Sequence, residues 1–164
     1  GFSAIRDFYP DAKFIFVMRN PVDRYWSNLR FHEKKAADTG RFSALREFEN
    51  KLDDPRYLLR TDYRRTLNEL HRVVDRKNII VCFYEDLFGN TTDTLKRITD
   101  FLEIQYIPPD LDYRVNVSPE IELPAALKKL AIRKFEGIYN YVLENYREQV
   151  PESWRKDIAL LGKP

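Results

Sequence analysis

Arg19, Asn20, Pro21, Asp23 and Ser27 stand together where an apolar run ends, and their types and spacing suit the capture of an anion. A guanidinium presents a planar fork of donors that pairs two oxygens of a phosphate at once, whereas an ammonium offers a point charge. Ser27 lies two helical turns beyond Asn20 on nearly the same face, so its hydroxyl adds a neutral donor to whatever Arg19 holds. Asn20 reads as the N-cap of a helix. Pro21 suits the first position, where its missing N–H costs nothing, and Asp23 complements the positive end of the dipole. The helix start is expected to turn free N–H groups toward the same anion. For an isolated Arg and Ser, an ordinary ion pair with a nearby carboxylate stays open as the competing reading.

The elements that must position these residues follow from pattern. Phe14 to Met18 is continuously apolar, which predicts a strand over Lys13 to Met18 covered on both faces. Asn78 to Phe83 predicts a second strand, entering a Tyr-Glu-Asp-Leu turn. Helices are expected from Asn20 to about Ala36, over Ser43 to Leu52, and as one long helix over Pro55 to Lys77 with Tyr63, Leu67, Leu70 and Val74 as its stripe. Thr91 to Ile104 reads as a further helix with Leu95, Ile98, Phe101 and Leu102 on one face. Pro-interrupted, acidic Gln105 to Leu123 reads as a loop or lid. Pro124 then starts a last long helix to about Tyr146, its Leu127, Leu130, Ala131, Phe135, Ile138 and Val142 facing the core, with Trp154 docking the tail.

Composition bounds the function. With 43% hydrophobic residues over 164 positions the chain can bury a substantial core in one domain. Against 28 basic residues stand 26 acidic ones, a net charge of +2, which excludes nucleic-acid affinity resting on excess charge. No apolar stretch approaches the roughly twenty residues that span a bilayer. Cys82 is the single cysteine, so a reducing cytoplasm is the expected location, and two histidines with one cysteine predict no metal site. Along the 55–77 segment Arg56, Arg60, Arg64, Arg65, Arg72 and Arg76 interleave with Asp62, Glu69 and Asp75, the pattern of a solvent face laced with ion pairs. His71 is expected as a satisfied residue at the edge of the apolar stripe. His32, Lys34, Lys35 and Arg41 lie where an anionic acceptor could be favoured, with plain solvated surface as the competing reading.

Taken together, these segments resemble the sulfotransferases that use 3'-phosphoadenosine 5'-phosphosulfate (PAPS). In that family an Arg ends a strand, a Pro follows shortly after, and a Ser comes eight residues beyond the Arg, forming the motif for the donor's 3'-phosphate. Arg19, Pro21 and Ser27 match at that spacing, and Lys13, Asn20 and Arg24 fit common members. Asn78 to Leu87, NIIVCFYEDL, resembles the strand and turn that follow in the same order. Tyr84 falls where the family can place an aromatic beside the adenine, a core-packed tyrosine being the rival reading. Thr91 to Ile104 resembles the next helix, so the likeness runs from about Ala4 to Ile104.

The resemblance implies an α/β, P-loop-like three-layer fold with a central parallel sheet, seen here as its helix-rich C-terminal part in a single domain over 1–164. It implies PAPS as donor, adenosine 3',5'-bisphosphate (PAP) as product, and cofactor-binding roles for Arg19, Ser27 and Tyr84. The reaction would move a sulfuryl group to an acceptor hydroxyl or amine on a small molecule or glycan. Two departures stand out. The family opens with a Gly-rich, Lys-containing loop for the 5'-phosphosulfate, and its catalytic base and leaving-group lysine come from the same early part. This chain has five glycines and no such pattern. No catalytic residue is therefore assigned, and the chain is expected to be N-terminally incomplete, with a Golgi-lumen location open if an anchor precedes it. The basic, glycine-containing segment that closes over the 3'-phosphate in many members corresponds here to RVNVSPEIELP, with Arg114 as a candidate substitute. A non-catalytic 3'-phosphonucleotide-binding module, or a nucleotide or nucleoside kinase relative, is the alternative.

Overall fold

The computed structural model describes residues 1–37, 40, 42–110 and 121–161. Both expected strands form. β1 (Phe14–Met18) and β2 (Ile79–Phe83) pair in parallel, with Phe14 opposite Ile79 and Met18 opposite Phe83. Parallel neighbours need a long crossover, supplied by α2 (Pro21–Lys35), α3 (Ala44–Lys51), α4 (Pro55–Thr61) and α5 (Tyr63–Val73). A short helix, α1 (Phe2–Phe8), precedes β1, and a 3₁₀ turn at Arg76–Asn78 leads into β2. Beyond β2 come α6 (Tyr84–Gly89), α7 (Thr91–Leu102), α8 (Ala125–Lys134), α9 (Glu136–Tyr146) and α10 (Glu152–Ala159). No helix among the described residues is long and apolar enough to cross a membrane.

Helix α2 is the hub. It packs against α3, α4 and α8, while α5 packs against α1 and α9, and α10 against α8 and α9. Buried Val22, Tyr25 and Leu29 of α2 join Met18, Phe48, Leu67, Phe83 and Ile132 in one apolar cluster that reaches Trp154. Aromatic edges do much of the interlocking. Tyr25 meets Phe48, Tyr57 and Phe135 edge-on at centroid distances of 5.0, 5.6 and 6.0 Å, and its hydroxyl donates to the Phe48 carbonyl. Trp154 docks the tail as expected, edge-on to Phe83 at 5.4 Å and to Tyr139 at 5.6 Å.

Several expectations are corrected. The single helix over Pro55 to Lys77 is two, broken at Asp62 (φ −76°, ψ 73°), whose side chain leaves the helical register to accept from the Arg65 N–H and cap α5. The last helix breaks likewise at Phe135 (φ −96°, ψ 8°), which keeps its ring in the core as the chain turns, and Leu130, expected to face the core, is exposed. The Tyr-Glu-Asp-Leu turn is the first turn of α6. The strands are less covered than their apolar runs imply, Ile15 remaining 42% exposed, because a pair of strands has open outer edges. The ion-pair lacing is also absent. Among the described residues Arg56 pairs with Asp54, whereas Asp62 serves as a cap.

Removing the Trp154 ring should cost about 3–5 kcal/mol, the range for buried Trp→Ala changes. Urea denaturation of Trp154→Ala is expected to show the loss, with Trp154→Phe retaining a good part of the stability through the surviving ring contacts.

Candidate anion-binding site

Arg19 lies between the last residue of β1 and the cap of α2. Its carbonyl accepts a hydrogen bond from Tyr63 Oη at 2.6 Å, and burial pushes the Tyr63 phenol up to about 12, so it remains a donor at neutral pH. Asn20 caps α2 as its sequence position predicts. Its Oδ1 accepts from the N–H groups of Val22 at 3.0 Å and Asp23 at 3.3 Å.

The remaining bonds of Asn20 were not legible beforehand. Its backbone N–H donates to Glu85 Oε1 at 2.8 Å, and Nδ2 donates to Asp157 Oδ2 at 2.7 Å. The Tyr139 hydroxyl sits 2.9 Å from Asn20 Oδ1 and 3.1 Å from Asp157 Oδ2, while Lys128 Nζ pairs with Asp157 Oδ1 at 2.6 Å. Asp157 is only 3% exposed, so this is a buried network tying α8, α9 and α10 to the start of α2. Glu85 is pushed above the usual carboxylate range by burial, against the pull of the Asn20 N–H and the Trp154 indole. Its Oε2 and the indole N–H are both buried and neither completes a hydrogen bond of normal geometry. Asp23 is likewise raised, first by burial and then by Asp157, with Arg19 pulling the other way.

One expectation is overturned by this geometry. The first-turn N–H groups of α2 are not free for a ligand, since those of Asn20, Val22 and Asp23 have side-chain acceptors and that of Arg24 bonds to the Asn20 carbonyl at 2.8 Å. Pro21 has none. An anion here must be held by side chains.

Those side chains converge. Arg19, Ser27 and Tyr84 line one groove of about 380 Å³, joined by Arg24, Asn28 and Arg60. The Arg19 guanidinium lies over the Tyr84 ring, 4.5 Å from its centroid, and Phe88 packs on the same ring at 4.7 Å. Among the described residues no carboxylate comes within 4 Å of Arg19, Arg24 or Arg60. Arg24 Nε is buried without a hydrogen-bond partner among the described residues. Among the described residues the competing ordinary ion pair does not form at Arg19. Arg60 was missed because one unbroken helix would set it on the solvent face, whereas the break at Asp62 leaves it on α4, which packs against α2. A second groove of about 520 Å³ shares Asn28 and Arg60 and includes His32, Phe42 and Tyr57. Arg41 and Arg114 lie outside the described residues.

Residues 1–108 match the sulfotransferase family. The chain belongs to that family. Curated relatives of this chain are the omega-hydroxy-beta-dihydromenaquinone-9 sulfotransferases Stf3 of Mycobacterium bovis and Mycobacterium tuberculosis, each 29% identical over 121 residues, covering 66% of this chain and 30% of the relative. A crystal structure of a sulfotransferase from Alicyclobacillus acidocaldarius superposes with a TM-score of 0.69 at 19% identity, covering 94% of this chain and 62% of that one, which shows the shared fold. The chain thus spans under a third of the curated relatives' length. The expected α/β class with a parallel sheet holds, the described part being helix-rich with two strands.

Two outcomes test the site's foundations. Asp157→Ala leaves the Lys128 ammonium and the Asn20 amide without their buried partner and should destabilise the fold by about 3 kcal/mol or more in urea titrations. Both histidines sit below 6.5, chiefly through burial, with Arg60 adding to the effect at His32 and Arg76 at His71. The folded chain then binds fewer protons than the unfolded one just below pH 6.5, so stability should rise with pH through that window and be lost as pH falls through it. Urea midpoints measured across roughly pH 5 to 7 should show this slope, and His71→Gln should flatten it in part.

Proposed function

We propose that this chain carries the 3'-phosphate-binding part of a PAPS-dependent sulfotransferase, whose whole protein moves a sulfuryl group from PAPS to an acceptor hydroxyl or amine. The observation that carries this reading is the convergence of Arg19, Arg24, Arg60 and Ser27 on one groove, with no carboxylate within 4 Å of the three guanidiniums among the described residues. The orphaned Arg24 Nε is a donor that a phosphate oxygen would satisfy.

In this reading Arg19 pairs two oxygens of the 3'-phosphate, Ser27 adds a neutral hydroxyl donor, and Tyr84 holds the guanidinium on its ring face beside the nucleoside. PAPS, when bound, supplies the sulfuryl group and a good leaving group, the bisphosphate. The chain's own residues contribute orientation and charge. Holding the donor in a fixed register accounts for much of the rate in transfers of this kind, by analogy with phosphoryl transfer. A 3'-phosphate also separates PAPS from ATP and AMP, which bring no dianion to these guanidiniums. The mycobacterial relatives are named for a hydroxylated dihydromenaquinone, so a hydroxyl on a small molecule is the first acceptor to try, with glycan hydroxyls second.

Calorimetric titration of PAP into the full-length protein tests the reading, with AMP as control. PAP should bind and AMP bind far more weakly. Arg19→Ala should remove roughly 2 kcal/mol, the loss of a desolvated charge-assisted pair, and Ser27→Ala about 1 kcal/mol. Tyr84→Phe, which keeps the ring beneath Arg19, should bind nearly as the parent does. Equal binding of PAP and AMP, or indifference to Arg19→Ala, overturns the assignment.

A further inference from the structure

A cavity of about 750 Å³ shares no lining residue with the Arg19 groove. It takes in Ile79, Ile80 and Val81 consecutively. Successive strand residues face opposite ways, so the cavity runs along the edge of β2, and β1 occupies the other edge.

Its walls are strongly one-signed. Arg72 of α5, Arg76 of the 3₁₀ turn and Arg97 of α7 line it together with His71, and no aspartate or glutamate does, although the chain has 26 of them. None of the three arginines has a carboxylate within 4 Å among the described residues. Arg97 is anchored, donating to the Val81 carbonyl at 3.3 Å and to Cys82 Sγ at 3.5 Å. The surface ion pairs expected of Arg72 and Arg76 are missing, and the satisfied histidine expected at position 71 has its Nδ1 buried without a partner. Tyr141 and Tyr146 of α9 complete the wall. Burial raises both phenols and lowers His71, which leaves neutral hydrogen-bonding groups beside the arginines near pH 7.

The geometry points to a second ligand site at the β2 edge, for an organic phosphate or sulfate ester whose tetrahedral oxyanion is held by Arg72, Arg76 and Arg97. Three guanidiniums suit a tetrahedral oxyanion, which offers several oxygens to planar forks. The volume falls within the range of small-molecule sites and far exceeds what a bare anion fills. The strand's isoleucines and valine and the two tyrosines give an apolar and aromatic surface for the ester's body.

Phenyl phosphate, phenyl sulfate and inorganic phosphate are titrated separately into the full-length protein with saturating PAP present, so that the Arg19 groove is occupied. At least one phenyl ester should bind, inorganic phosphate should bind much more weakly, and the preferred ester tells phosphate from sulfate. Arg72→Ala and Arg76→Ala should each weaken the ester roughly tenfold or more. Arg76→Lys, which keeps the charge and loses the fork, should recover only part. Both alanine variants alter exposed positions, and thermal melts should match the parent. No saturable ester binding, equal binding of inorganic phosphate, competition by PAP, or indifference to Arg72 and Arg76 would each overturn the proposal.

Discussion

The carboxamide of Asn20 holds the rest of the site in place. One short side chain caps α2, bonds to Asp157 from α10, and touches the Tyr139 hydroxyl from α9, while its backbone N–H fixes Glu85 at the start of α6. Asn20 is 1% exposed, so each of these partners is needed, because an amide buried without them carries a desolvation cost of several kcal/mol. The strand-to-helix junction is thus held from helices distant in sequence. Arg19 inherits its position from this arrangement, its carbonyl fixed by Tyr63 and its guanidinium by Tyr84.

A consequence concerns how an anion can be recognised here. Helix N-termini commonly offer backbone N–H groups to phosphate, and the motif around Arg19 looks built for that. In this fold the same groups are turned inward, to Glu85 and to the cap itself. Asp23 and Glu85 already complement the helix dipole. On the proposed reading, recognition passes to guanidinium and hydroxyl side chains above the junction, where changing one residue alters affinity without disturbing the backbone.

Much of this was readable from sequence and some was not, for definite reasons. The cap, the proline at the first helical position and both strands follow from local preferences that tertiary contacts reinforce. Arg19, Ser27 and Tyr84 meet in one groove because a strand end and the helix that follows it are close neighbours in any fold. Arg60 and Asp157 were illegible, since their roles depend on a helix break at Asp62 and on the docking of α10, and neither leaves a periodic signal. The helix breaks themselves escaped because Phe135 continues an apolar stripe and Asp62 falls among the charges of the face that reads as solvated, so neither interrupts the pattern. Tertiary capping and ring packing decided those positions, not propensity.

The arrangement of charge explains why the guanidiniums remain available. Asp157 is engaged by Lys128 and the Asn20 amide, and Glu85 by a backbone N–H, so the acids nearest the junction are satisfied over short distances. Between charges at contact distance the interaction is several times that at twice the separation once solvent intervenes. Arg19 pulls on the Asp23 carboxyl without closing an ion pair with it. Three guanidiniums with no carboxylate within 4 Å among the described residues repel one another around one groove, and a fold tolerates this only where the rest of the core has stability to spare. A bound dianion relieves that repulsion and stabilises the folded state by mass action, with a gain that grows with the logarithm of its concentration over its dissociation constant. On the proposed reading, the groove that takes the dianion and the repulsion that its binding relieves involve the same three arginines.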